Sequence, residues 1–130
     1  NDSRVCFSAP LAKLLEGADR GTVYVRVDYT DKSGRVYHNN YCLDKQKNMN
    51  YPKVDLQVEV RSIEGGYEVT VSADKFARAV CLSVADNESV YSDNYFDVQP
   101  KSSVQVQVRT RLSAEAFNAS LRLTCLNNEF

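Results

Sequence analysis

The sequence predicts an all-β fold, and two features of its residue pattern indicate this class. Aliphatic and polar residues alternate strictly in VDLQVEVR at residues 54–61, which places one face of a strand on a core and the other face in water. About seven short runs rich in Val and Tyr recur at intervals of roughly 8–12 residues. This spacing is typical of an immunoglobulin-like antiparallel β-sandwich, in which two sheets stack face to face.

The predicted sandwich begins with a hairpin. The glycines of IEGG at residues 63–66 permit the positive φ of a tight turn, so the first strand should pair with the alternating run at residues 67–73. Helix is expected only as short turns at Asp74–Phe76 and at Ser113–Phe117, where Ser113 can serve as the N-cap. Further strands are predicted at residues 77–84, 104–109, 121–126 and, as one or two short strands, within YSDNYFDV at residues 91–98.

The first part of the chain is organised differently. Alternation at residues 23–30, the turn DKSG at residues 31–34 and a second strand at residues 35–43 predict another hairpin. A short helical turn is expected to begin at Pro10. Because an isolated two-stranded hairpin is marginal in water, we expect this segment to be the tail of something larger.

A linker is predicted between the two hairpins. Residues 44–52 are polar and end at Pro52, which disfavours a helix before it. A domain boundary is therefore expected near residues 44–53.

The charge balance and hydropathy exclude two classes of partner. The formal net charge is -1, with 16 Lys and Arg against 17 Asp and Glu, which gives no strong field for nucleic acid or anionic lipid. The longest nearly apolar stretch, residues 76–85, is far shorter than the roughly 20 residues of a spanning helix. Neither a nucleic acid nor a membrane is expected as a partner.

The four cysteines do not have the spacing of a metal site. They stand at positions 6, 42, 81 and 125, with no closely spaced pair of the kind that binds zinc. Two disulfides remain possible, but Cys81 and Cys125 lie in apolar runs, where unpaired thiols behave as small buried hydrophobes. Free cysteines in the core are the favoured interpretation, and we predict no metal and no cofactor.

Catalysis has two candidate centres in the sequence. Asp93 and Asp97 are the carboxylates to test for glycosidase chemistry, but four residues of extended chain separate them by about 13 Å. Asp93 and Asn94 are more simply explained as turn residues, and Asp97 as the polar side of a strand. His38, the sole histidine, has no nucleophile motif beside it and is expected at a solvent-facing or edge position. No catalytic residue is predicted.

The aromatic residues raise carbohydrate stacking as a possibility. The chain has eight Tyr and five Phe but no Trp, the strongest ring for this task. Rings such as Tyr91 and Tyr95 more often pack inward in a sandwich, with the hydroxyl group reaching a partner at a corner. We therefore interpret YSDNYFDV as a corner between two strands, with its rings inward and Asp97 outward.

Several stretches between residues 36 and 110 carry a family resemblance. They are YEVTVSA at residues 67–73, FARAVCLS at 76–83, YSDNYFDVQP at 91–100 and, at the junction, NYCL at 40–43, KQK at 45–47 and YPK at 51–53. With them, residues 36–110 resemble the C-terminal immunoglobulin-like domain of family 2 glycoside hydrolase β-mannosidases. SDNYFD, followed shortly by Pro100, is the most specific part of the likeness. The family tends to have Gly where Lys101 stands, Phe at the position of Tyr91 and a second Leu near Gln99.

The resemblance implies a domain organisation and a role. Residues 1–50 would be the C-terminal strands of a preceding immunoglobulin-like domain plus the linker, and residues 51–130 the last such domain. Catalysis would reside elsewhere, in a TIM barrel with two glutamates that no motif here matches. The chain would be a non-catalytic accessory domain of an enzyme that hydrolyses terminal β-D-mannosides, with the catalytic and preceding domains as its partners. The family favours a periplasmic, secreted or lysosomal location over the cytoplasm.

The residues of the structural motif are Tyr91, Ser92, Asp93, Asn94, Tyr95, Phe96, Asp97 and Pro100. No residue is assigned to catalysis, to a cofactor or to a metal. A carbohydrate-binding module that targets mannan or another glycan is the alternative. An adhesion or receptor sandwich, a third class, would show a sizeable exposed apolar patch, which the sequence does not indicate.

Overall fold

A computed structural model describes residues 3–129, and the chain divides into two compact units whose boundary in the sequence lies between Asn50 and Tyr51. Antiparallel strands form the framework of both units, so the prediction of an all-β fold is confirmed. Within residues 3–129, no helix combines the length and the apolar character that a bilayer span requires.

The first unit is built around a single hairpin. Its two strands pair in full register, with Tyr29 opposite Tyr37, and the Arg20 guanidinium donates to the Leu43 carbonyl beside them at 2.9 Å. The helix expected after Pro10 is present. The elements are helix α1 (Leu11–Leu15), a 3₁₀ turn (Arg20–Thr22), strands β1 (Tyr24–Thr30) and β2 (Val36–Cys42), and a second 3₁₀ turn (Gln46–Asn48).

The second unit is a sandwich of two antiparallel sheets. Its strands are β3 (Leu56–Ile63), β4 (Gly66–Ala73), β5 (Ala77–Ser83), β6 (Val90–Tyr91), β7 (Phe96–Val98), β8 (Ser102–Arg109) and β9 (Arg122–Thr124). Helices α2 (Ala114–Ser120) and α3 (Leu126–Glu129) flank β9. One sheet has the order β3-β4-β8-β6 and the other β7-β5-β9.

Two local predictions are wrong. Asp74–Phe76 form a bend and not a helical turn, because three residues must carry the chain from β4 to β5 in the other sheet, a distance that the short rise of a helix does not span. The strand predicted at residues 121–126 ends at Thr124, since Leu126 begins α3. Ser113, in contrast, caps α2 as expected, with its hydroxyl accepting from the Ala116 N–H at 3.3 Å.

The hairpin between β3 and β4 needs both of its glycines, for different reasons. Gly65 has a φ of 76°, the left-handed conformation that only glycine adopts without strain. Gly66 has an ordinary φ, but a Cβ there would lie 2.0 Å from the Val108 carbonyl oxygen of β8. The second glycine therefore permits the close approach of β4 and β8.

The core lies between the two sheets and follows the alternation of β4. Every second residue of β4 is buried, beginning with Tyr67, whose ring stacks on Phe117 of α2 at a centroid distance of 4.1 Å. The Tyr67 hydroxyl donates to the Leu112 carbonyl at 2.9 Å, so its polar end is satisfied. Each fully buried aliphatic or aromatic side chain contributes roughly 1.5–3 kcal/mol. The largest fully buried aliphatic and aromatic side chains of the core are those of Val69, Val71, Val80, Leu82, Val98, Val106, Val108 and Phe117.

A turn with a strained residue connects β7 to β8. The Ser102 N–H donates to the Gln99 carbonyl at 3.1 Å, which closes a four-residue turn with Pro100 and Lys101 in the middle. Lys101 has a φ of 58°, and its N–H donates to the Ala73 carbonyl at 3.0 Å. A turn with proline second and a positive φ third favours glycine at the third position. Lys101 therefore carries backbone strain at this position.

We expect Lys101→Gly to stabilise the second unit by about 0.5–1 kcal/mol, because relief of the left-handed strain exceeds the added entropy of the unfolded chain. Urea unfolding measures the difference. Lys101→Ala removes the same side chain but retains a Cβ, so it should give no gain. Equal stabilisation by both variants would contradict the role of φ.

Candidate functional site

The segment Tyr91–Val98, called the corner segment below, crosses from one sheet to the other. It begins in β6 at the edge of the four-stranded sheet and ends in β7, which pairs with β5 in the three-stranded sheet. Ser92 holds the segment to β8 through two hydrogen bonds. Its N–H donates to the Gln107 carbonyl at 2.8 Å, and its hydroxyl accepts from the Gln107 N–H at 2.9 Å. Pro100 lies beyond it, exposed, in the turn to β8.

The rings of the corner segment do not all point inward. Phe96 is buried and Tyr91 is half-buried, but the side chain of Tyr95 is 71% exposed. The prediction of an inward Tyr95 is wrong because Phe96 takes the inward position of β7, which puts its neighbour on the outer side. Tyr95 also has a φ of 60°, which is rare for an aromatic residue.

Asn94 acts as a strand partner for β5. Its Oδ1 accepts from the Leu82 N–H at 2.8 Å and its Nδ2 donates to the Leu82 carbonyl at 2.9 Å, so one side chain replaces a ladder pair. Asp93 is exposed and accepts from the Asn94 N–H at 2.8 Å. Both residues therefore order the backbone of the crossover.

Asp97 lies against a bulge in β5 and not in solvent. Its carboxylate pairs with the Arg78 guanidinium and accepts from the Ala79 N–H at 3.0 Å, and only 11% of its side chain is exposed. Ala79 has a φ of 51°, and the register of β5 with β7 shifts between Ala77 and Val80. Asp97 lies on the outer side of β7, between two buried residues, but the bulge turns an N–H group toward its carboxylate and so largely removes it from solvent.

Asn127 satisfies the second N–H group of the bulge. Its Oδ1 accepts from the Arg78 N–H, and its Nδ2 donates to the carbonyls of Pro52 and Phe76, with all three distances at 2.8 Å. Asn127 is 2% exposed. One buried amide thus joins the start of the second unit, the approach to β5 and the bulge. Sequence reasoning missed this residue, since nothing local distinguishes a buried Asn from an exposed one.

The candidate catalytic residues have separate surroundings. Asp93 caps its neighbour's backbone and Asp97 pairs with Arg78, so the two carboxylates serve different partners. His38 is exposed on β2, opposite Asp28. Within residues 3–129, no cluster of three or more His, Cys, Asp or Glu side chains could hold a metal ion. In this arrangement, each carboxylate has its own partner, and the two are not brought together as an acid–base pair.

A shallow depression lies beside Tyr91. It has a volume of about 180 Å³ and is lined by Val90, Tyr91, Ser92, Gln107 and Arg109. Burial raises the pKa of Tyr91 above its usual value, although a hydrogen bond with the Val84 backbone opposes the shift.

Asp86 orders the loop that leads into β6. It accepts from the backbone N–H groups of Glu88 and Ser89 and from the Ser89 hydroxyl, and the Thr110 hydroxyl beyond β8 also donates to it, at 3.0 Å. Burial acts to raise the pKa of this carboxyl, but the hydrogen bonds from Ser89, Thr110 and Glu88 outweigh it, so the pKa is lowered.

The four cysteines are free, and their environments differ. Cys125 is 2% exposed, as expected for a core thiol. Cys81 is half-buried, because Val80 and Leu82 occupy the inward positions of β5 and leave the outer face to it. A hydrogen bond between the Cys81 thiol and the Tyr95 hydroxyl raises the pKa of Tyr95.

A family model described as Ig_mannosidase, an Ig-fold domain, matches residues 50–129. The matched range contains both sheets, the corner segment and Asn127. No curated protein matches the chain.

We expect Asn127→Ala to destabilise the second unit by about 2–4 kcal/mol, because it leaves the Arg78 N–H and two carbonyls without partners inside the protein. Asn128→Ala is the matched control, since the exposed Asn128 makes two bonds to the Val54 backbone. It should cost about 0.5–1.5 kcal/mol. Urea unfolding compares the two variants. An equal loss of unfolding free energy in both would contradict a special role for Asn127.

We expect Asp86→Asn to weaken the acid sensitivity of the second unit. The lowered pKa means that the Asp86 carboxylate stabilises the folded state above the unfolded value of about 3.9, and that this contribution disappears as the pH falls through the folded value. Between about pH 5 and pH 2.5 the unmodified chain should therefore lose more free energy of unfolding than the variant. Glu88→Gln, which changes the same loop's charge equally, should lose as much as the unmodified chain. The same slope for all three chains would contradict this assignment.

Proposed function

The chain belongs to the mannosidase family of immunoglobulin-fold domains, and from this premise we propose that it is an accessory β-sandwich of a β-mannosidase. The match over residues 50–129 carries the proposal, since it covers the entire second unit apart from its last residue. The parent enzyme hydrolyses terminal β-D-mannosides, and this domain supports its structure or the surroundings of its active site.

The polar groups of the corner segment support a structural role. Asn94 is engaged with Leu82, Asp97 with Arg78 and Ala79, and Asp93 with its own neighbour. A catalytic acid or base needs a position within hydrogen-bond reach of a substrate in a pocket. These side chains instead stabilise backbone that would otherwise lack partners.

The hairpin of the first unit supports a preceding sandwich domain in the same polypeptide. One face of the hairpin carries Val27, Tyr29, Tyr37 and Tyr41, and these side chains are between 46% and 69% exposed. The opposite face carries the charged pair Arg26 and Asp28. Alternation of this kind belongs to a strand with one buried face. We assign the apolar face to the core of that domain, whose last strands and linker are residues 1–50.

The partners of this domain are thus the catalytic and preceding domains of the parent enzyme. This hairpin face is an exposed group of apolar side chains of the kind that an adhesion sandwich would display. The preceding domain accounts for it without a separate partner.

Two assays test the proposed function. The isolated chain should not hydrolyse aryl β-mannosides above the level of an identically purified control from the same host. In the full-length polypeptide, deletion of residues 51–130 should shorten the half-life of aryl β-mannosidase activity on heating. Turnover by the isolated chain, or a full-length polypeptide without such activity, would contradict the proposal.

The exposure of Tyr95, which reaches 71% for the residue, is the observation that favours the alternative, a carbohydrate-binding module. Affinity electrophoresis in mannan gels separates the two functions. An accessory domain should migrate as it does without mannan. Retardation that Tyr95→Ala abolishes and Tyr91→Phe leaves intact would favour glycan binding instead.

A further inference from the structure

The sandwich has one long unpaired strand edge. Three of its four edge strands are short, since β6 has two residues and β7 and β9 have three each. The fourth, β3, has eight, and no described strand pairs with its outer side. An unpaired edge presents N–H and carbonyl groups that can accept another strand. Short edges offer little to a partner, so β3 is the edge that can bind one.

The apolar side chains between the two sheets are partly exposed to solvent at this edge. Val58 lies on the inner face of β3, opposite Val71 of β4. Val71 is fully buried, but Val58 remains 42% exposed, and Val60 next along this face is only half-buried. A strand added beside β3 would therefore cover aliphatic surface as well as satisfy backbone groups.

The charges on the outer face of β3 identify the partner as a second copy of this chain. Glu59 and Arg61 flank Val60 on the solvent side of the sheet. When two copies of a strand pair antiparallel about a two-fold axis, the register decides which residues oppose one another. With Val60 opposite Val60, Glu59 of each copy opposes Arg61 of the other. If one copy instead slides along the other by two residues, Glu59 lies opposite Glu59, or Arg61 opposite Arg61. Like charges directly opposite one another destabilise a sheet.

We propose that β3 pairs antiparallel with β3 of a second copy, with Val60 on the two-fold axis. The two four-stranded sheets then form one continuous sheet of eight strands, in which two Glu59–Arg61 pairs fix the register. Each Arg61 also keeps its bond to Glu68 of its own copy, at 2.8 Å. A single strand pair is a small interface, so the dimer is reversible and depends on protein concentration.

Charge reversal at the two positions tests the register. Glu59→Arg and Arg61→Glu each turn both attractive pairs into repulsive ones, so each variant alone should self-associate about tenfold more weakly than the unmodified chain. Copies of the first variant carry two positive charges on β3, and copies of the second carry two negative charges. An equimolar mixture should therefore recover the association as a heterodimer. Sedimentation velocity measures the affinity, and native mass spectrometry identifies the mixed species.

Two controls make the result specific to β3. Glu115→Arg reverses a charge on the exposed side of α2 and should leave self-association unchanged. Circular dichroism and thermal melting establish that each variant is folded. A chain that stays monomeric up to about 1 mM would overturn the proposal, because a dimer with a larger dissociation constant would not form at working protein concentrations. If neither charge reversal weakens the association, the dimer forms through another surface, such as the hairpin face, and the proposal would also be overturned.

Discussion

A bulge in the central strand of the three-stranded sheet sets the main constraint on this fold. The left-handed φ of Ala79 turns the N–H groups of residues 78 and 79 out of the regular ladder, and a buried N–H group without an acceptor costs about as much as a lost hydrogen bond. Asn127 and Asp97 supply the two acceptors. Because these side chains come from the C-terminal helix and from β7, satisfying the bulge also fixes the position of both elements.

Asparagine side chains replace absent strand neighbours at three places in this sandwich. An amide offers a donor and an acceptor together, as a peptide group does, so it can pair with a backbone where no strand is adjacent. Asn94 does this at Leu82, Asn128 at Val54, and Asn127 at the bulge. The three-stranded sheet is thereby held although its outer strands have only three residues each.

Local patterns in the sequence predict the strands because period-2 burial is a local property. The alternation of β3 and β4, the glycines of their hairpin and the Ser113 cap each depend on neighbours within a few positions. The surroundings of Asp97 are not local in this sense. They depend on a bulge in β5, and Arg78 of that bulge lies 19 positions away in the chain. Asn127 escaped notice because its partner Pro52 is 75 positions distant.

That separation has a consequence for how the molecule is made. A contact across 75 positions closes a long loop, and long-range contacts repay the entropy of closure only late in folding. During synthesis, the backbone groups of Pro52 and Val54 therefore lack these partners until Asn127 and Asn128 have left the ribosome, after almost the whole sandwich has been made. The start of the second unit is therefore fastened to its sheets only after nearly all of residues 51–128 have been synthesised.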